Sequence, residues 1–174
     1  MTKALSFVLE TGKIALVALV LVAGFRLFVF QPFLVRGASM EPNFHNWDYL
    51  IVDEISYRFK NPERGDVIVF KFPHDLSQRY IKRVIGLPGE TVEVQDGHVA
   101  IFHGEEKISL GEEEYFSFDT PGSVHETLGE NEYFVMGDNR PYSSDSRSWG
   151  VLPKDLIIGR VLVRVFPLSV FAHE

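Results

Sequence analysis

The sequence predicts a mainly β protein, in which a single N-terminal transmembrane helix precedes a compact antiparallel β domain with a small second lobe. Three observations support this prediction. One long apolar stretch lies near the N-terminus, short β-branched and aromatic runs follow it at close spacing, and strand and helix patterns do not alternate. With 174 residues the chain can form one core and one anchor. We assign 1–30 to the cytoplasmic N-terminus and anchor, and 31–174 to the β-rich domain.

The anchor prediction rests on the stretch from Ile14 to Val35, which is apolar except for Arg26 and the pair Gln31–Pro32. Together with Ala4 to Leu9 it supplies the roughly 20 helical residues that cross a bilayer. Lys13, just before the stretch, and Arg26, thirteen residues further on, can extend toward opposite interfaces. The positive N-terminus indicates a cytoplasmic start, so the remainder is expected on the extracytoplasmic side of the plasma membrane.

Two alternatives to an anchor remain open on the sequence. Lys3 and Lys13 before a short apolar run, with Val22–Gly24 as small residues after it, also fit a cleavable secretion signal. A buried helix of a soluble protein is the other alternative, although Ile14 to Phe25 is apolar on every side, which suits lipid better.

Period-2 alternation and turn residues predict the β domain. The expected strands are Tyr49–Asp53, Asp66–Phe72, Arg79–Ile85, Thr91–Gln95, His98–Phe102, Glu132–Met136 and Ile157–Phe166. Asp96–Gly97 separates two of these runs, and this dipeptide is typical of a type I′ hairpin turn.

Charge is concentrated in one region and excludes several functions. The net charge of the chain is −7, and Gly104 to Glu132 alone holds nine acidic residues and one lysine. We expect a small acidic lobe at about 92–131, exposed to solvent, and no nucleic-acid partner. The chain has no cysteine. It therefore forms no disulfide and has no thiol nucleophile, and its six histidines lack the spacing of a metal site, so neither a metal nor another cofactor is expected.

A lysine occupies an unusual position in the predicted strand Arg79 to Ile85. Lys82 shares one strand face with Tyr80 and Val84 while Arg83 takes the other, so a basic residue points inward whichever face is buried. Burial lowers the pKa of a lysine, and its neutral amine accepts a proton. Lys82 is therefore a candidate general base; the alternative is an ordinary lysine on an exposed or ion-paired face.

Ser39 is the candidate nucleophile. It lies in Arg36 to Pro42, where small residues on its N-terminal side leave room for an approaching peptide. A serine needs an adjacent base, no histidine lies in a recognisable triad setting, and the Ser-Lys pair is a known variant. The alternative is a turn serine ahead of Pro42. Lys82 is 43 residues away, so the proximity of the two side chains is a prediction about the fold.

A polar segment from Gly137 to Gly150 alternates acidic residues, arginines and serines. It is either an exposed loop or a loop whose shape is fixed by salt bridges, and a hydroxyl within it has the chemistry to orient the lysine.

Four motifs in order resemble those of the type I signal peptidase family. Ser39–Pro42 resembles its Ser-Met-x-Pro motif, Gly65–Phe70 its next strand, Tyr80–Gly89 its lysine motif, and Gly137–Arg147 its last motif. The resemblance covers about Phe25 to Arg164.

This resemblance implies a mainly β serine endopeptidase in the plasma membrane that removes signal peptides from secretory preproteins as they leave the translocation machinery. It implies that Ser39 attacks the scissile carbonyl, that neutral Lys82 takes its proton, and that an acyl-enzyme forms. The backbone N–H of Ser39 is expected to donate to the oxyanion. By position Ser143 resembles the hydroxyl that holds the lysine. The structural ion pairs implied are Arg83 with Asp138 and Asp145 with Arg147.

The resemblance also implies pockets for small side chains, and hence cleavage at Ala-x-Ala-like sites of an extended substrate. The matching positions are Phe33, Val35, Met40, Phe44, Leu50, Val69, Tyr80 and Ile81. Two departures matter: Gly37 replaces the Ser or Thr that completes the oxyanion hole, and Asn43–Phe44 replaces the usual Thr-Leu. The alternatives left open are a related Ser-Lys processing protease and a membrane-tethered β module that binds peptides without cutting them.

Overall fold

The structure is a computed structural model that describes residues 2–28, 30–108 and 120–165, with side chains described for 7–20, 32–108 and 120–165. Part of the predicted acidic lobe, the predicted strand end at Phe166 and the side chains of the Val22–Gly24 cleavage motif lie outside these ranges.

The chain begins with one long helix, α1, at Thr2–Phe28. The predicted apolar segment is therefore helical to Phe28, while its last residues belong to a strand that begins at Phe30. Within the described part of the chain, no helix combines the length and apolarity needed to cross a membrane.

The described residues after α1 form eleven strands and a four-residue helix, α2, at Ser146–Trp149. The strands are β1 (Phe30–Leu34), β2 (Tyr49–Asp53), β3 (Val67–Phe72), β4 (Asp75–Gly86), β5 (Thr91–Gln95), β6 (His98–His103), β7 (Glu106–Ile108), β8 (Val124–Thr127), β9 (Glu132–Met136), β10 (Leu152–Pro153) and β11 (Ile157–Val165). Single 3-10 turns lie at Ser56–Arg58, Arg140–Tyr142 and Lys154–Leu156.

These strands form two sheets, and every strand pair is antiparallel. Seven strands make the larger sheet in the order β1-β2-β11-β3-β4-β9-β10, and four make the smaller in the order β7-β6-β5-β8. The mainly antiparallel β class is therefore confirmed. β1 lies at one edge of the larger sheet, where Pro32 is tolerated because an edge strand has one side without ladder bonds.

The small sheet grows out of one end of β4. β4 runs into β5 through the turn at 87–90, and β9 returns to the larger sheet. Asp96 and Gly97 join β5 to β6 with φ of 52° and 82°, the two positive angles that a type I′ turn requires. The predicted hairpin is confirmed, with its strands paired from Gln95–His98 to Thr91–Phe102.

Three apolar clusters hold the sheets together. One covers a face of the central strands with Ile68, Phe70, Val84, Tyr133, Val135 and Leu152. A second joins the two sheets with Ile85, Val92, Ile101, Leu128, Phe134 and Met136. A third lies under β1 and β2 with Val35, Leu50, Val52 and Val69. Neighbours such as Phe134 and Val135 enter different clusters because strand side chains alternate between faces.

Candidate active site

The side chains of Lys82, on β4 of the larger sheet, and Ser39, in the turn region between β1 and β2, meet in the structure. Lys82 Nζ lies 2.8 Å from Ser39 Oγ and 2.9 Å from the carbonyl oxygen of Ile81. β4 places the lysine opposite Ile68, and Tyr80 opposite Phe70, so the lysine shares a face with the first apolar cluster. The amine therefore sits at hydrogen-bond distance from the hydroxyl in apolar surroundings.

Burial changes the acidity of this amine. Lys82 is 4 % exposed. Its removal from water lowers its pKa from 10.5 to about 8, against the opposing attraction of Asp145 and Asp138 and with a smaller lowering by Arg147. The neutral fraction of the amine near physiological pH is therefore much larger than that of an ordinary lysine, and only the neutral form accepts a proton.

The turn that contains Ser39, which we call the serine turn, is fixed by hydrogen bonds from one residue, Asn139. The backbone N–H of Asn139 donates to the Ser39 carbonyl oxygen at 3.0 Å, and the Asn139 side-chain amide donates to the Ala38 carbonyl oxygen, also at 3.0 Å. Two consecutive carbonyls are thus fixed by a residue about a hundred positions away in the chain. The position of the serine relative to β4 depends on this clamp.

Gly137 leaves the space in which the serine turn fits. A Cβ at this position would lie 2.2 Å from Ser143 Oγ and 2.4 Å from the Ser39 carbonyl oxygen. Both distances are far inside van der Waals contact, so only glycine lets the loop approach the turn this closely.

Two buried ion pairs stabilise the loop formed by the polar segment from Gly137 to Gly150. Arg83 donates to both oxygens of Asp138, at 2.8 Å and 2.6 Å, and the same carboxylate accepts from the Asn43 side chain at 2.8 Å. Arg147 donates to both oxygens of Asp145 at 2.8 Å, and that carboxylate also accepts from the Gly137 N–H. These are the pairs expected from the sequence, and the first ties β4 to both the loop and the serine turn.

The backbone groups at the predicted oxyanion hole, those of Ser39 and Gly37, and the hydroxyl predicted to orient Lys82, that of Ser143, differ in their hydrogen bonds. Among the described residues, the N–H of Ser39 has no hydrogen-bond acceptor, whereas that of Gly37 donates to Asn46 Oδ1 at 3.0 Å. Gly37 has φ of +94°, which favours glycine there. Ser143 Oγ is buried beside Gly137 without a hydrogen-bond partner in the described chain, so its predicted bond to Lys82 is not formed here.

An open cleft of about 580 Å³ runs past Ser39 and Lys82. Of the predicted pocket residues, six line it: Phe33, Val35, Leu50, Val69, Tyr80 and Ile81. Met40 is fully buried beneath the serine turn, and Phe44 packs against the third cluster, so neither lines this cleft.

Other lining residues were not predicted. They are Leu34, Arg36, Ala38, Gln78, Arg79, Tyr142 and Ser144. Gln78 and Arg79 were missed because the motif that signals the lysine begins only at Tyr80. Tyr142 and Ser144 flank Ser143, which was itself predicted as a site residue, so their position in the sequence could have identified them as cleft-lining residues.

The clamp gives the first prediction. Replacing Asn139 by alanine should lower the kcat of a reaction that uses Ser39 as nucleophile about tenfold with little change in KM, because the Ala38 carbonyl loses a donor and the serine becomes less well oriented. Steady-state kinetics on a peptide substrate measure this. Asn131→Ala, an exposed asparagine with no side-chain hydrogen bond in the described structure, is the matched control. Equal activity of both variants would contradict the positioning role.

Comparison with known proteins gives consistent results. The family model described as "Signal peptidase, peptidase S26" matches residues 8–166. The probable signal peptidase I-1 of Synechocystis sp. is 40 % identical over 174 residues, covering 94 % of this chain and 85 % of its own. The signal peptidase I of Leptolyngbya laminosa is 40 % identical over 177 residues, covering 96 % of this chain and 84 % of its own.

One solved structure is also similar. It is a crystal structure of a signal peptidase I from Enterococcus faecalis V583, with 35 % sequence identity and a TM-score of 0.47, covering 60 % of this chain and 98 % of that chain.

Proposed function

Because the chain belongs to the peptidase S26 family of signal peptidases, which are hydrolases, we propose that it is a membrane-bound serine endopeptidase that removes N-terminal signal peptides from secreted preproteins. The observation that carries the proposal is the 2.8 Å contact between Ser39 Oγ and a buried Lys82 amine. The S26 match supports the reaction class, and the contact supports the assignment of the two side chains.

The proposed reaction begins with attack of Ser39 Oγ on the scissile carbonyl carbon while neutral Lys82 takes the hydroxyl proton. The oxygen that gains charge is stabilised by the N–H of Ser39. Collapse of the tetrahedral intermediate breaks the C–N bond, and the lysine gives its proton to the departing amine. Water, deprotonated by the same lysine, then attacks the acyl carbon. The Ser39 Oγ–C bond breaks, the lysine returns the proton to Oγ, and the signal peptide leaves with a new carboxylate.

The free edge of β4 supports an extended substrate. β9 pairs with β4 only at Arg83–Gly86, so the earlier part of β4 has β3 on one side and, among the described strands, none on the other. Gln78, Tyr80 and Lys82 of this part line the cleft. A peptide strand added here brings its backbone along the lysine and past the serine, with main-chain bonds supplying much of the affinity.

The anchor proposal is supported by the exposed surface of α1. From residue 7 to residue 20 every side chain is exposed. The apolar ones, Phe7, Val8, Leu9, Ile14, Leu16, Val17, Leu19 and Val20, are 57–71 % exposed. Such a surface is costly in water and needs an apolar cover. We assign that cover to the lipid bilayer, with the catalytic domain on the extracytoplasmic face of the plasma membrane.

Cleavage of a preprotein tests the proposed function. The detergent-solubilised full chain should cut a preprotein whose signal ends in Ala-x-Ala after the second alanine, as read from the masses of both products. A matched preprotein with phenylalanine in place of that alanine should be cut at least about tenfold more slowly if, as the resemblance to signal peptidases implies, the pocket accepts only small side chains. No cleavage by folded protein that still binds the peptide would favour the non-catalytic binding module, and efficient cutting elsewhere would favour another processing protease.

The lowered pKa of Lys82 predicts how activity depends on pH. Since only the neutral amine accepts a proton, kcat/KM should rise about tenfold per pH unit below pH 8 and level off above it. The measurement is a pH–rate profile on a peptide without ionisable side chains, with circular dichroism showing that the protein stays folded throughout. A flat profile would contradict the role of Lys82.

A further inference from the structure

Two positive charges face each other across neighbouring strands. Lys71 of β3 and Arg79 of β4 are direct partners in the antiparallel register. Like charges in this arrangement repel and destabilise a sheet. Both side chains are exposed, and neither forms an ion pair with an acidic residue in the described structure. The Arg79 guanidinium lies over the Phe33 ring, but no carboxylate in the described structure offsets the repulsion between the two cations.

A third cation converges on the same place. Arg58, from the 3-10 turn after β2, lines a cavity of about 400 Å³ together with this pair. The basic cavity, as we call it, is lined by Phe33, Glu54, Tyr57, Arg58, Lys71, Arg79, Ile157 and Ile158. Glu54 is its one acidic lining residue, against three cations. The cavity suits a small anion, because its positive charges converge on one opening.

The acidic residues near the cavity are engaged elsewhere. Asp53 accepts hydrogen bonds from the backbone of Ile55 and Ser56 and from the Ser56 hydroxyl. Asp75 accepts from Ser77 and Gln78 within its own hairpin. These bonds hold the two carboxylates in local turns. Glu54 is then the acidic residue left in the lining, and the three cations exceed it, so the cavity keeps a net positive charge.

The cavity lies at the end of the sheet that follows α1. One residue separates Phe28, the end of α1, from Phe30, the start of β1, so the two lie within about 7 Å of each other. Phe30 pairs with Asp53, which directly precedes the cavity residue Glu54. The β3–β4 hairpin and Arg58 lie at this same end of the sheet. A bilayer that contains α1 thus lies beside the cavity.

The distribution of charge fits the same orientation, and two of the exposed apolar side chains of the β domain lie at this end, while others, such as Trp47 and Val163, do not. Phe59, next to Arg58, is 83 % exposed, and Leu76 of the β3–β4 hairpin is 58 % exposed. The small acidic lobe grows from the opposite end of β4, about 40 Å away at the rise of an antiparallel strand. An anionic surface therefore attracts the cavity end and repels the lobe.

We propose that the basic cavity binds the phosphate of an anionic lipid headgroup and so seats this end of the β domain on the membrane. Arg58, Lys71 and Arg79 contact the phosphate, while Phe59 and Leu76 enter the interface. Phe33 and Arg79 line both the basic cavity and the catalytic cleft, and the Arg79 guanidinium lies 5.7 Å from the Phe33 ring centroid. A lipid bound in the cavity therefore fixes the distance between the cleft and the bilayer. This proposal rests on the proposed anchoring by α1.

A fluorescent label on the hairpin tests the proposal. Since the chain has no cysteine, Leu76→Cys accepts one environment-sensitive dye in the full chain. In phosphatidylcholine nanodiscs with increasing phosphatidylglycerol, its emission should shift to the blue and be quenched by nitroxide lipids. A dye at His98→Cys, exposed in the lobe, should show neither change.

The matched substitutions are Lys71→Gln and Lys107→Gln, both at exposed strand lysines. Lys71→Gln should lower the ratio of docked to undocked protein about fivefold, as expected for one cation at an anionic surface. Its melting temperature should stay equal or rise, because a repulsion is removed. Lys107→Gln, in the lobe, should leave docking unchanged. An equal loss of docking in both variants would show that docking depends only on the total charge of the protein, and would contradict a specific site at the basic cavity.

Three other outcomes show whether the lipid site, the anchor or the proposed reaction is wrong. Equal docking on pure phosphatidylcholine would overturn the proposal, because it would show no need for an anion. A response to inorganic phosphate in detergent, without one to phosphatidylglycerol, would assign the cavity to a free anion and also overturn it. Failure to enter nanodiscs would refute the anchor and this proposal with it, while cleavage of a preprotein in detergent would show separately that the proposed reaction stands.

Discussion

Replacing Lys82 by arginine should reduce peptide cleavage by at least about a thousandfold, although the charge and much of the side-chain length are kept. A guanidinium stays protonated under all ordinary conditions and cannot take the Ser39 proton. Removing the nucleophile in Ser39→Ala should reduce activity to the same background. Because the two residues act as one unit, the double variant should be no worse than either single variant.

The measurement is a comparison of kcat/KM for these variants, with folding checked by circular dichroism. Lys107→Arg, the same exchange at an exposed lysine of the small lobe, is the control and should keep full activity. Activity of Lys82→Arg within tenfold of the unmodified enzyme would mean that another group serves as the base.

Replacing Asp138 by alanine should destabilise the folded protein by about 3–5 kcal/mol. The Asp138 side chain is fully buried and the side chain of its partner Arg83 is 8 % exposed. The substitution leaves that charge without its two carboxylate bonds and removes the acceptor of Asn43 in the serine turn. Both effects act at the junction of β4, the loop and the turn, so activity should be lost together with stability.

Denaturant unfolding of the purified protein measures this loss. Arg160→Gln is the matched control, because the Arg160–Asp66 pair is longer, at 3.5 Å, and its arginine side chain is 40 % exposed. It should change the free energy of unfolding by no more than about 1 kcal/mol. Similar changes in the free energy of unfolding for the two substitutions would contradict the larger contribution to stability that we expect from the buried pair.

Much of the β domain could be predicted because its central strands carry a clear period of two. β2, β5 and β9 have the predicted bounds, β3, β4 and β6 differ at their ends, and β11 has the predicted start while its predicted end lies outside the described residues. The strands that were missed, β1, β7, β8 and β10, are short, lie at the edges of their sheets or follow an apolar helix. Their conformation depends on a neighbouring strand, so a local pattern carries little information about it.

The family could also be predicted from four motifs in order, and the match of the signal peptidase family model to residues 8–166 confirms it. The same motifs predicted that Ser39 and Lys82 lie together, and the structure places them in contact. The clamp of Asn139 on the serine turn could not be predicted, because a hydrogen bond to a backbone carbonyl leaves no signal in the residue type of the acceptor. The basic cavity was missed for a similar reason: Arg58, Lys71 and Arg79 come together only through strand register.

The most direct test of the central claim is to trap the acyl-enzyme. The full chain is mixed with an Ala-x-Ala preprotein, quenched in acid during turnover and digested, and the peptide that contains Ser39 is weighed. We expect this peptide to carry the signal peptide as an ester on Ser39, and the initial rate at which the ester forms to fall with pH below about 8. An ester on another residue, or cleavage that continues in Ser39→Ala, would contradict the mechanism proposed for this site.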